Sequence, residues 1–84
     1  MNDRESIFSE VQKMLCATFN LAPEEVTLDK NLFTDLDLDS LDAVDMASEL
    51  STKSGIKFTN DDLRQIRTVG DVVDAILNKQ SDNS

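Results

Sequence analysis

The apolar positions of this chain fall into helical runs broken by one long irregular stretch. Ile7, Val11, Met14, Leu15 and Thr18 recur at i, i+4, i+7 spacing, with Phe8 and Phe19 at the edges, which predicts a helix over 3–19. Asn2 and Glu5 are spaced as a capping box at its start. Leu41, Val44, Ala47 and Leu50 repeat at similar spacing and predict a second helix with a buried stripe, over 40–52, closed by Gly55 in a left-handed conformation. Thr59 and Asp62 cap a short third helix over 60–66 that inserts Leu63 and Ile66. Thr68 caps a fourth, with Asp71 at the reach-back position and Val69, Val72, Val73, Ile76 and Leu77 on its buried face.

The stretch from 20 to 38 is long for a connection, and loops of that length are uncommon unless they pack or act in function. Pro23-Glu24-Glu25-Val26 is suited to one helical turn with proline at its first position. Leu21, Val26, Leu28, Leu32, Phe33 and Leu36 supply apolar anchors that pack the rest over the bundle. Gly and Pro are scarce, at two and one, which favours helices over strands and turns. The expected fold class is all-α: a four-helix bundle with three main helices, one short one, and a long loop between helices 1 and 2. A single domain over 1–84 is expected, ordered over about 3–78 with a frayed tail at 79–84.

Charge narrows the functional classes. Seventeen acids against eight bases give a net charge of −9, which repels nucleic acid and anionic membranes and attracts proteins with basic patches. The acids cluster: Asp35, Asp37, Asp39, Asp42, Asp45 and Glu49 lie within 31–52, which contains no Lys or Arg. With Cys16 as the only cysteine, no internal disulfide is possible, and its expected role is that of a small buried hydrophobe. No long apolar run indicates a signal segment or membrane span, so a monomer in the cytoplasm is the default expectation. A domain this small buries about 60% of its unfolded surface and has little room for a deep catalytic cleft.

Ser40 is the candidate site. Asp39 is a good N-cap and Asp42 stands three positions on, which puts Ser40 at the first helical position. There the backbone N–H groups are unpaired and the macrodipole favours an anion, so a phosphate ester on this hydroxyl would be stabilised. Autonomous catalysis is not expected: the chain has no His, and the residues beside Ser40 offer only carboxylates as bases. Asp35-x-Asp37-x-Asp39 imitates the first half of an EF-hand loop, but Ser40 replaces the turn glycine and Met46 the closing Glu, so no metal site is expected.

At Asp39-Ser40-Leu41 the chain resembles the acyl carrier protein family, whose hallmark is an Asp-Ser-Leu triplet opening the second helix of a small acidic bundle. The resemblance extends to Asn31-Leu32-Phe33 with Asp35-Leu36, to Asp42-Ala43-Val44-Asp45-Met46, and to Thr68-Val69-Gly70-Asp71-Val72-Val73, covering 5–78. It implies that Ser40, flanked by Asp39 and Leu41, carries 4′-phosphopantetheine installed by a separate phosphopantetheinyl transferase. The arm's thiol would hold acyl groups as thioesters for fatty-acid or polyketide-type synthesis enzymes. Asp35, Asp37, Asp42, Asp45, Met46 and Glu49 would then meet basic docking patches on a ketosynthase and other acyl-processing enzymes. By the same resemblance, the interior near Val44, Met46, Ala47, Leu50, Ile66 and Val72 would shelter cargo. Asp37 occupies the place of a frequent glycine, and the run from Leu38 to Asp45 is closer to carriers of specialised polyene or polyketide-like pathways. The rival expectation is an unmodified acidic adaptor that binds basic proteins through the same face.

Overall fold

The computed structural model describes residues 3–82, with side chains through Lys79. Four α-helices follow in order: α1 Arg4–Phe19, α2 Ser40–Ser54, α3 Asn60–Gln65 and α4 Val69–Asp82, with a 3-10 turn at Pro23–Glu25 in the first connection. The all-α, four-helix expectation holds, and the proline-led turn sits where the sequence put it.

Local chemistry explains each boundary, with corrections. The N-cap of α1 is Asp3, whose carboxylate accepts the Ser6 N–H at 2.9 Å; Asn2, the expected cap, lies outside the described residues. Asn20 ends the helix in the left-handed region, its N–H donating to the Cys16 carbonyl. The second helix runs to Ser54, past the expected end at 52, until Gly55 at φ 75° closes it. The fourth continues to Asp82, so the polar residues after Asn78 do not end it. Polar residues on an exposed helix face satisfy the backbone as well as apolar ones do, and polarity alone is a poor stop signal.

One contiguous core joins Ile7, Val11, Met14 and Leu15 of α1 to Val69, Val72, Val73 and Ile76 of α4, with Met46 and Leu50 of α2 against them. The helical spacing thus located the inner faces of α1 and α4. Thr18, expected on the α1 stripe, is exposed instead, because the inward face ends at Leu15 and the last turn approaches solvent. Cys16 is half-buried and packs against the core edge.

The long connection is stitched down from both sides. Gln12 Nε2 donates to the Pro23 and Val26 carbonyls at 3.0 and 3.1 Å, fixing the loop to α1. At the other side, Leu32 N–H donates to Arg67 O (2.8 Å), Val69 N–H to Lys30 O (3.0 Å) and Gly70 N–H to Leu28 O (2.9 Å). Asn31 and Thr68 form an isolated antiparallel bridge within this seam. Gly70 is required by the close approach, since a Cβ there would lie 3.1 Å from Leu28 O. Val26, Leu32, Leu36 and Leu38 are buried beneath the loop, and Leu21 and Phe33 partly so. Leu28, expected as an anchor, stays 37% exposed, its backbone carrying the contact to α4 instead.

Candidate functional site

The chain approaches α2 through two nested turns. Asn31 Oδ1 accepts the N–H groups of Phe33 and Thr34 at 2.9 and 3.1 Å, while Asp35 Oδ2 accepts the Asn31 N–H at 2.8 Å. Leu32 and Leu36 are thereby turned into the core, and Leu38 N–H bonds back to Leu32 O at 3.0 Å. Asp37 bridges these turns at φ 60°, in the left-handed region that glycine favours. That conformation is the physical reason a glycine suits this place, and aspartate is among the residues that tolerate it.

The helix then opens on a complete capping box. Asp42 N–H donates to Asp39 Oδ1 at 2.9 Å and Asp39 N–H donates to Asp42 Oδ2 at 3.2 Å. Ser40 is the first residue of α2 and is exposed. Its hydroxyl stands at the positive end of a 15-residue helix with no basic side chain in hydrogen-bond contact among the described residues.

Beside Ser40 lies a groove of about 390 Å³. The α2 wall is Ser40, Ala43 and Val44; the opposite wall is Asn60, Leu63 and Arg64 of α3 with Ile66 and Arg67 just after it, and Phe33 at the loop end. Its lining joins apolar Phe33, Ala43, Val44, Leu63 and Ile66 to polar Ser40, Asn60, Arg64 and Arg67.

The expected site residues divide into three groups. Asp39 and Asp42 cap the helix start that holds Ser40 and Asp35 lies in the turn before it, and each carboxylate accepts a backbone N–H. Asp37, Asp45 and Glu49 are exposed and make no hydrogen bond or ion pair among the described residues. Met46 does not belong to a docking face: it is fully buried. The inward side of α2 is Ala43, Met46, Ala47 and Leu50: of the predicted stripe, Ala47 and Leu50 are buried while Leu41 and Val44 are not. Leu41, two residues from Ala43 and so on nearly the opposite side of the helix, is 74% exposed, and Val44 is 52% exposed. Val44 therefore lines the groove from outside the core. Two arginines on that groove, Arg64 and Arg67, were missed by sequence reasoning, since isolated bases on a short polar helix carry no pattern.

Among the described residues no group of His, Cys, Asp or Glu is arranged to hold a metal ion, and no helix is long and apolar enough to cross a membrane.

A small acidic helical bundle with a solvent-facing serine at a helix start, next to a groove, has the form of a carrier domain. The family model for the phosphopantetheine attachment site matches residues 9–76. An acyl carrier protein of Coprothermobacter proteolyticus is 45% identical over 74 residues, spanning 88% of this chain and 90% of that protein. The solved acyl carrier protein of Enterococcus faecalis superposes with a TM-score of 0.75 at 30% identity, covering 90% of this chain and 96% of the other. The crystal structure of a Thermotoga maritima acyl carrier protein gives a TM-score of 0.85 over 100% and 96% of the two chains, and at 19% identity it speaks for the fold alone. The chain belongs to the acyl carrier protein family.

Proposed function

We propose that Ser40 Oγ is the attachment point of a 4′-phosphopantetheine arm, and that the chain presents acyl groups on that arm to successive synthesis enzymes. The observation that carries this reading is the exposed Ser40 hydroxyl at the first position of α2, directly behind the Asp39–Asp42 box. The residues present suit the group. Ser40 is exposed, the helix start favours the resulting anionic diester, and the adjoining groove has apolar lining residues along which an arm can lie. Bound there, the arm supplies a terminal thiol on which acyl groups are held as thioesters.

The chain's own residues do the rest. The Asp39–Asp42 box fixes the helix start, so the direction in which Ser40 presents its ester is set. Asp37 before α2 and Asp45 and Glu49 on it are exposed, as are Leu41 and Val44, so the surface around the helix start combines acidic and apolar points. Exposed charge of this kind raises association rate more than affinity, which suits a carrier that must dock and leave repeatedly. Its partners on this reading are a phosphopantetheinyl transferase, a ketosynthase and other acyl-processing enzymes with basic patches. Cargo of the fatty-acid or polyketide type fits the family, and the extra charge of Asp37 beside the site favours specialised-pathway partners over those of primary fatty-acid synthesis.

Thiol titration tests the proposal. The unmodified chain has one thiol, Cys16. Incubation with coenzyme A and an active broad-specificity transferase should add a second, fully accessible thiol that accepts acyl groups as thioester. A thiol count that stays at one would overturn the carrier reading and leave the acidic adaptor.

A further inference from the structure

The described residues of this strongly acidic chain form two ion pairs, Arg4 with Asp74 and Lys79 with Asp62. Arg64 and Arg67 belong to neither, yet both line the groove beside Ser40. Two arginines that share a groove with Ser40, and form no ion pair among the described residues of a chain of net charge −9, need a reason. Asp35, Asp39 and Asp42 accept backbone N–H groups and form no ion pair with either arginine.

Both arginines stand on fixed backbone. The Arg67 N–H donates to Asp71 Oδ2 at 3.0 Å, and its carbonyl accepts the Leu32 N–H at 2.8 Å. Arg64 lies in α3, whose start is held by the Thr59–Asp62 box. The side chains therefore leave the groove wall from set positions, which is the arrangement an ordered binding site requires. Guanidinium groups are also suited to phosphate oxygens, through short, charge-assisted, often bidentate bonds.

Resting on the assignment of Ser40 as the attachment point, we infer that Arg64 and Arg67 are positioning residues that hold the phosphodiester of the arm against the wall of the groove opposite α2. The negative diester is tethered to the α2 wall, so its encounter with the arginines is intramolecular. Effective concentrations for such tethered groups are in the millimolar range or above, enough to populate a contact that would be weak between free molecules. The arm's first bonds would then run across apolar Leu63 and Ile66, not outward into solvent. Salt should loosen the contact, since both arginines are exposed.

Phosphorus NMR of the arm-bearing protein tests this directly, with intact mass recorded on each sample. Four chains are compared at low ionic strength: wild type, R64Q/R67Q, R64K/R67K, and K53Q/K57Q, which makes the same charge change away from the groove. The diester resonance of R64Q/R67Q should be displaced from that of wild type, and the Leu63 and Ile66 methyl shifts that accompany arm attachment should be lost. K53Q/K57Q should match wild type, and R64K/R67K should fall between. Added salt should move the wild-type resonance towards that of R64Q/R67Q. Coincident resonances in wild type and R64Q/R67Q, on samples whose mass shows the arm, would overturn the clamp and leave the carrier reading standing. The clamp is likewise overturned if the arginine Nε signals respond only to cargo bearing a free carboxylate. Failure of every chain to gain the arm would remove both readings.

Discussion

Asp45 and Glu49 are the carboxylates of α2 that bond to nothing among the described residues, whereas Asp42 also closes the helix cap. Charge reversal at the first two should therefore separate docking from folding. The double variant D45K/E49K should associate with a basic partner enzyme about tenfold more slowly at low salt, since steering by such charges is worth about 10-fold or more. Its stability should stay within about 0.5 kcal/mol of wild type, as for ordinary surface changes. Met46→Ala should do the reverse, losing about 2–5 kcal/mol by opening the core while leaving steering intact. Stopped-flow association across a salt series, with thermal melts alongside, checks both; an unchanged low-salt rate in D45K/E49K would contradict the docking role. The confusion of Met46 with the surface has a physical origin. The second helix carries two overlapping apolar stripes, 41–44 and 43–46–47–50, and periodicity alone does not say which one meets the core. Only the neighbouring elements decide, and they choose the second. The exposure of Leu41 then becomes information, because a large apolar side chain left in water beside the proposed attachment serine suits a partner surface.

At the scale of elements, the helix starts were the most legible part of the sequence. The boxes at Asp39–Asp42, Thr59–Asp62 and Thr68–Asp71 all form, because each needs only two side chains three residues apart. The seam between the long loop and the start of α4 was illegible, because it is made of backbone groups; Gly70 was its one trace in the sequence. One box also reaches between elements. Asp62 bonds Lys79 of α4 at 2.8 Å as well as the Thr59 N–H. The Lys79 contact first, then the backbone bond from Thr59, hold its carboxyl below the ordinary carboxylate range. A folded-state value below the unfolded one gives stability that is present above the unfolded value and lost as pH falls through the folded one. Asp62→Asn should thus melt below wild type at neutral pH, and the gap should close as the solution is acidified through and below the usual carboxylate range. A gap independent of pH, followed by thermal melts from neutral to acid, would contradict this role.

For the molecule as a whole, sequence reading located the fold class and the place of Ser40 at the first position of α2, since both depend on local signals that survive without coordinates. The groove was out of reach, because Ser40 and Val44 meet Leu63, Arg64 and Arg67 only after α3 folds back against α2. With the core on one side of α2 and acidic charge on the other, the start of that helix is the place where a covalently carried group would be both accessible and electrostatically supported. Intact mass of wild type and Ser40→Ala, after identical treatment with coenzyme A and an active transferase, tests that claim most directly. Wild type should gain the mass of one phosphopantetheine and Ser40→Ala none. A gain on Ser40→Ala, or none on wild type, would contradict it.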